Sequence, residues 1–114
     1  MATTKITFDP SAPKSVNEGS AVTFSVTFYT AGVATAPSTI RYRVDDVDSE
    51  DNVVDWTSAT ATATASISIG ASLNVMIDED NHVERKVLTV EADNGTSTAF
   101  NASAYYDVVN RLGI

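Results

Sequence analysis

Between Ser58 and Ile69 the chain reads S-A-T-A-T-A-T-A-S-I-S-I. Ala59, Ala61, Ala63, Ala65, Ile67 and Ile69 share one face of this tract, and Ser58, Thr60, Thr62, Thr64, Ser66 and Ser68 share the other. A side-chain period of two belongs to extended strands, whereas one face of a helix recurs every three or four residues. An amphipathic helix is therefore excluded here. The same alternation recurs along most of the chain and predicts an all-β domain whose strands hide one side and wet the other.

Ser20 to Thr30 is the strongest case, with Val22, Phe24, Val26 and Phe28 on one face, and it is expected as a central core strand. Ile6 and Phe8 share a face in Thr3–Phe8, but Pro10 and Pro13 then interrupt any ladder, so this segment reads as a kinked edge strand. Thr39–Asp45 places Ile40, Tyr42 and Val44 inward and Arg41, Arg43 and Asp45 outward. Asn52–Thr57 carries the only tryptophan, Trp56, and the Ser58–Ile69 tract is expected as one long strand ending at Gly70. Leu73, Val75 and Ile77 form a further alternating set, either continuing past that break or making a strand of their own. Glu84–Asp93 points Leu88, Val90 and Ala92 inward, and Thr96–Val109 points Ala102, Ala104, Tyr106 and Val108 inward. Asn94-Gly95 between them is a strong hairpin signal, because both residues tolerate positive φ. Turns are expected at Asn17–Ser20 and Asp78–Asn81, and a loop between Ala31-Gly32 and Pro37-Ser38. The expectation is about seven antiparallel strands in two sheets packed face to face.

At 114 residues the chain is one domain, read as an N-terminal arm and edge strand over residues 1–13 and a sandwich over 14–114. A core of this size holds without staples, and there is no cysteine to make any. That fits synthesis in a reducing cytoplasm. The net charge of −8 argues against nucleic acid or an anionic membrane as partner, since phosphates are bound by clustered Lys and Arg. No apolar run approaches the ~20 residues that span a bilayer. MATTKITFDP lacks the apolar core of a signal peptide, so neither export by that route nor anchoring is expected.

Chemistry has little to stand on. The loop Asp45-Asp46-Val47-Asp48-Ser49-Glu50-Asp51 has the carboxylate density of a Ca²⁺ site, but it fails the EF-hand spacing: Asp51 and Thr57 stand where Gly and Glu are needed. A different cation site shared with Asp78 or Asp80 is the alternative to a solvated loop whose charges discourage edge-to-edge pairing; the solvated loop is favoured. His82 is the only histidine and lies in a polar turn, where it is expected to be exposed. One histidine and no cysteine do not make a zinc site, and no G-x-S-x-G elbow is present. No catalytic residue, cofactor or metal is expected. Trp56, Tyr29, Tyr42, Tyr105 and Tyr106 are candidates for a sugar-stacking platform. Against that, Trp56 and Tyr42 are expected in the core, and Tyr105 and Tyr106 point to opposite faces. Asn94-Gly95-Thr96 and Asn101-Ala102-Ser103 match the glycosylation pattern without a secretion signal to give it meaning.

S-V-N-E-G-S-A-V-T-F-S-V-T-F (15–28), I-R-Y-R-V-D-D (40–46) and R-K-V-L-T-V-E-A-D-N-G-T (85–96) together resemble strands B, C and F of immunoglobulin-like and fibronectin-III-like sandwiches. The Cys…Trp…Cys signature of antibody domains is absent. With its acidic, cysteine-free composition and its closing Y-Y-D-V-V-N-R-L (105–112), the chain resembles the small Ig-like structural proteins of tailed bacteriophages. That resemblance implies a non-enzymatic capsid decoration or tail/neck accessory protein, made in the host cytoplasm and located on the virion. Its partners would be other virion proteins, with room for a homo-oligomer. The Ser58–Ile69 tract and the Met1–Pro13 arm are the expected docking edges. The alternative is a carbohydrate- or cell-surface-binding β-sandwich module.

Overall fold

The computed structural model describes residues 4–9, 14–78, 80–93 and 98–110. They form nine strands: β1 (Thr4–Asp9), β2 (Lys14–Asn17), β3 (Val22–Thr30), β4 (Val33–Ala34), β5 (Thr39–Asp46), β6 (Asn52–Ala59), β7 (Thr64–Ile69), β8 (Val83–Asp93) and β9 (Thr98–Val109). The fold is all-β, as the alternation requires. One sheet is built on β3, with β1 along one side and β7 and the two-residue β4 along the other. The second runs β2-β9-β8-β5-β6.

The inward faces of the two sheets meet in one core. Val22, Phe24, Val26, Phe28, Ala65, Ile67 and Ile69 come from the first, and Ile40, Val44, Leu88, Val90, Phe100, Tyr106 and Val108 from the second. Phe24 leans on Tyr106 with ring centroids 5.9 Å apart, and Phe28 meets Phe100 edge-on at 5.2 Å. These aromatic pairs lock the layers at two points. Ile6 and Phe8 of the edge strand β1 pack half-buried against the same core.

The structure corrects several expectations. The N-terminal region supplies two strands, not one: β1 pairs with β3 in the first sheet, and β2 pairs in parallel with β9 in the second. The sheets are therefore not wholly antiparallel, and β2 and β4 lift the strand count above seven. The Ser58–Ile69 tract is not one strand. Ser58 and Ala59 end β6 in the second sheet, residues 60–63 cross over, and β7 joins the first sheet. Alternation tells a segment which face to bury but not which sheet to join, so it runs through the crossover unchanged. Once in place, the outward hydroxyls of β7 pair with those of β3: Thr23 Oγ1 with Ser68 Oγ at 2.8 Å, and Thr27 Oγ1 with Thr64 Oγ1 at 3.1 Å. Such cross-strand pairs hold register on a solvated face.

The segment after Gly70 is turned inside out. It makes a 3₁₀ turn (Ala71–Leu73) and no strand, leaving Leu73, Val75 and Ile77 exposed while Asn74 and Met76 are buried. Asn74 explains the inversion. Its Nδ2 donates to Ser20 O at 2.8 Å, its Oδ1 accepts the Tyr106 hydroxyl at 2.8 Å, and its carbonyl accepts the Gly19 N–H at 2.8 Å. One residue thus satisfies groups from two other segments, the 19–20 turn and β9, and Met76 follows it inward in phase. Asn94-Gly95, Pro10 and Pro13 lie outside the described residues.

Candidate functional site

The two halves of the Thr/Ala tract face each other across an open flank of the molecule. β6 is the last strand of its sheet, and β7 pairs with no strand but β3 among the described residues. A groove of about 470 Å³ lies between them, lined by Tyr42, Ser58, Thr60, Thr62, Ser66 and Ser68 together with Ala59, Ala65 and Ile67. Ala63 accepts the Phe28 N–H at 2.9 Å. Main-chain groups alternate sides along a strand, so Thr64, Ser66 and Ser68 turn their N–H and C=O groups away from β3, toward the flank. The Thr62 hydroxyl donates to the Thr64 carbonyl at 2.7 Å. β1 is the opposite edge of the same sheet. Both segments singled out from sequence as docking edges are thus edge strands, and the small side chains of β7 leave its backbone open to approach.

The outer face of the five-stranded sheet is a ladder of closed ion pairs. Arg41 Nε donates to Glu91 at 3.0 Å, Arg43 grips Asp45 through two bonds at 2.7 and 2.9 Å, and Arg85 Nε donates to Asp107 at 2.8 Å. The Arg43 contact, with help from Asn52, holds the Asp45 carboxyl below the ordinary carboxylate range despite some burial. Trp56 is on this face and not in the core. The Arg41 guanidinium carbon sits 4.1 Å from its ring centroid and that of Arg43 5.5 Å, a cation–π arrangement that covers the indole. The alternation misplaces Trp56 because β5 and β6 slip register between Tyr42 and Val44, and a bulge reverses which residues face in. Tyr42 is half-buried against the core; Tyr106 is fully buried and Tyr105 is 46% exposed.

The acidic loop divides. Val47 to Asp51 are exposed, but Asp46 is the buried end of β5. The Asp46 carboxylate accepts the Lys86 ammonium at Oδ1 (2.8 Å) and the Ser49 N–H and hydroxyl at Oδ2 (2.9 Å each). Lys86 also donates to Glu84 Oε1 at 3.1 Å. Glu84 in turn accepts the N–H groups of Ile77 and Asp78 and the side-chain amide of Asn81. Burial alone would raise both carboxyls, yet these donors outweigh it and hold Asp46 and Glu84 below their usual range. The solvated-loop expectation therefore fails for Asp46. This cluster went unseen in the sequence although a signal was present: Glu84 and Lys86 stand in phase with Leu88, Val90 and Ala92, so any strand burying those three buries the two charges as well.

His82 is exposed in its turn, and Asn101 is exposed on β9. Among the described residues no three His, Cys, Asp or Glu side chains gather to hold a metal ion, and no helix is long and apolar enough to cross a membrane. No family model, curated protein or solved structure matches the chain.

Proposed function

We propose that this chain is a non-enzymatic structural protein of a bacteriophage virion, a capsid decoration or a tail/neck accessory, that docks on neighbouring virion proteins by strand addition. The observation that carries the docking mode is the edge of β7 beside its groove, which among the described residues pairs with β3 alone. An extended segment of a neighbour laid along β7 would take main-chain hydrogen bonds from Ser66 and Ser68 and seat alternate side chains toward Tyr42 and Ile67. Many copies on one lattice would multiply a weak single contact. The virion setting rests on the sequence resemblance; the fold contributes the two-sheet all-β scaffold with open edges. Protein rather than nucleic acid is the fitting partner, because Arg41, Arg43, Arg85 and Lys86 are all engaged by carboxylates. A sugar platform on Trp56 is disfavoured by the guanidinium groups over its ring.

Imaging of virions with and without the protein tests the setting: density must vanish from shell, neck or tail. Ser66→Pro, which removes an edge donor, and Thr62→Lys, which charges the groove, test the docking mode. Both variants are expected to fold and to lose incorporation; folded variants that incorporate normally refute strand addition at β7.

A further inference from the structure

Lys86, Asp46 and Glu84 form a closed reaction geometry as well as an ion cluster. Asp46 and Lys86 are register partners on adjacent strands, and Glu84 lies two residues before Lys86 on the same face. The Lys86 side chain is 0% exposed and the two carboxylates 4% each. A buried ion cluster is a poor way to gain stability, since apolar residues of similar size usually serve as well. We propose that Lys86 and Asp46 condense spontaneously to an amide, cross-linking β5 to β8.

The parts are in place around the reacting atoms. Nζ is 2.8 Å from Asp46 Oδ1, so the amine already abuts the carboxyl carbon it must attack, and fixed proximity replaces a bimolecular encounter. Asp46 Oδ2 is the oxygen that remains. The Ser49 N–H and hydroxyl donate to it and are placed to stabilise the negative charge it gains in the tetrahedral intermediate. Oδ1 is the oxygen that leaves. Nζ first passes one proton to Oδ1 along their 2.8 Å hydrogen bond, which frees the lone pair that attacks Cγ. The Glu84 carboxylate, 3.1 Å from Nζ, then takes a second proton from the nitrogen and passes it to Oδ1 as the Cγ–O bond breaks. The balance closes with no outside reagent. Of the three ammonium protons one stays on the amide nitrogen and two depart with Oδ1 as water, and Glu84 ends as it began. Water is excluded from the site, which opposes the reverse hydrolysis.

Intact-mass spectrometry on the folded full-length chain, followed by peptide mapping, decides the matter. Wild type is expected to lack the mass of one water and to yield a branched peptide joining the segments that hold Asp46 and Lys86. Asp46→Ala and Lys86→Met are expected to keep their full mass, and Glu84→Gln to keep it over the same incubation. Wild type at full sequence mass overturns the proposal whether or not any variant folds. So does a lost water that maps elsewhere, such as a cyclised aspartate in the 48–51 loop. Complete dehydration of Glu84→Gln overturns the proton transfer assigned to Glu84.

Discussion

The contact between Asn74 and Tyr106 makes the sharpest energetic prediction. Asn74→Ala removes the acceptor of the Tyr106 hydroxyl, which is buried, and the donor to Ser20 O, which is partly buried, both at 2.8 Å. Each polar group left unpaired in the interior costs about 1–3 kcal/mol, so this variant is expected to lose about 2–5 kcal/mol. Tyr106→Phe keeps the ring against Phe24 but orphans Asn74 Oδ1, a single group, for about 1–3 kcal/mol. In the double variant the hydroxyl and Oδ1 are both gone, and only the Ser20 carbonyl is left unpaired. Its cost is therefore expected to fall short of the sum of the singles by two such penalties, about 2–6 kcal/mol, at or above the upper end of the coupling found for residues in direct contact. Urea unfolding followed by fluorescence measures it. With a slope of about 1–3 kcal/mol per M, each kcal/mol moves the midpoint by roughly 0.3–1 M. Additive costs would mean that the two side chains do not share the hydrogen bond that places the 71–77 segment.

Three further outcomes follow from the packing and charges. Phe24→Ala, at a site with no solvent exposure, is expected to lose about 3–5 kcal/mol of unfolding free energy; a loss under 1 kcal/mol in the same urea assay would show that the sheets close over the gap. Ala31 sits at φ 51° before Gly32 at φ 81° in the β3–β4 turn, a left-handed position that suits glycine, so Ala31→Gly is expected to stabilise by about 0.5–1 kcal/mol, and a lowered melting temperature would contradict it. The Glu84 carboxyl is held below its unfolded value, so its stabilisation is complete at pH above the unfolded value of about 4.3 and is lost as pH falls through the folded one. The urea midpoint is expected to drop in that acid window, and Glu84→Gln to flatten the drop; an unchanged acid slope would remove Glu84 from the account.

Much of the fold was legible because burial in a sheet follows a period of two. Val22, Phe24, Val26 and Phe28 announced the central strand, and Leu88, Val90 and Ala92 announced its counterpart across the core. The edge character of β1 followed from its weak alternation and the nearby prolines. The candidate site was legible only in part. Thr and Ala at small, regular spacing marked a backbone that another chain can approach, but not that the tract divides and lines a groove with its two halves.

What the chain alone determined is which side of each strand is oily, because that depends on neighbours two residues apart. The tertiary structure decided everything that depends on partners distant in sequence. It chose the sheet each strand joined, turned Trp56 outward through a slip between β5 and β6, drew Asn74 inward over Leu73 and Val75, and enclosed Lys86 between two carboxylates. A hydrogen bond or an ion pair needs a second group at the right place in space, and for Asp46 and Lys86 that place exists only once β5 and β8 lie side by side.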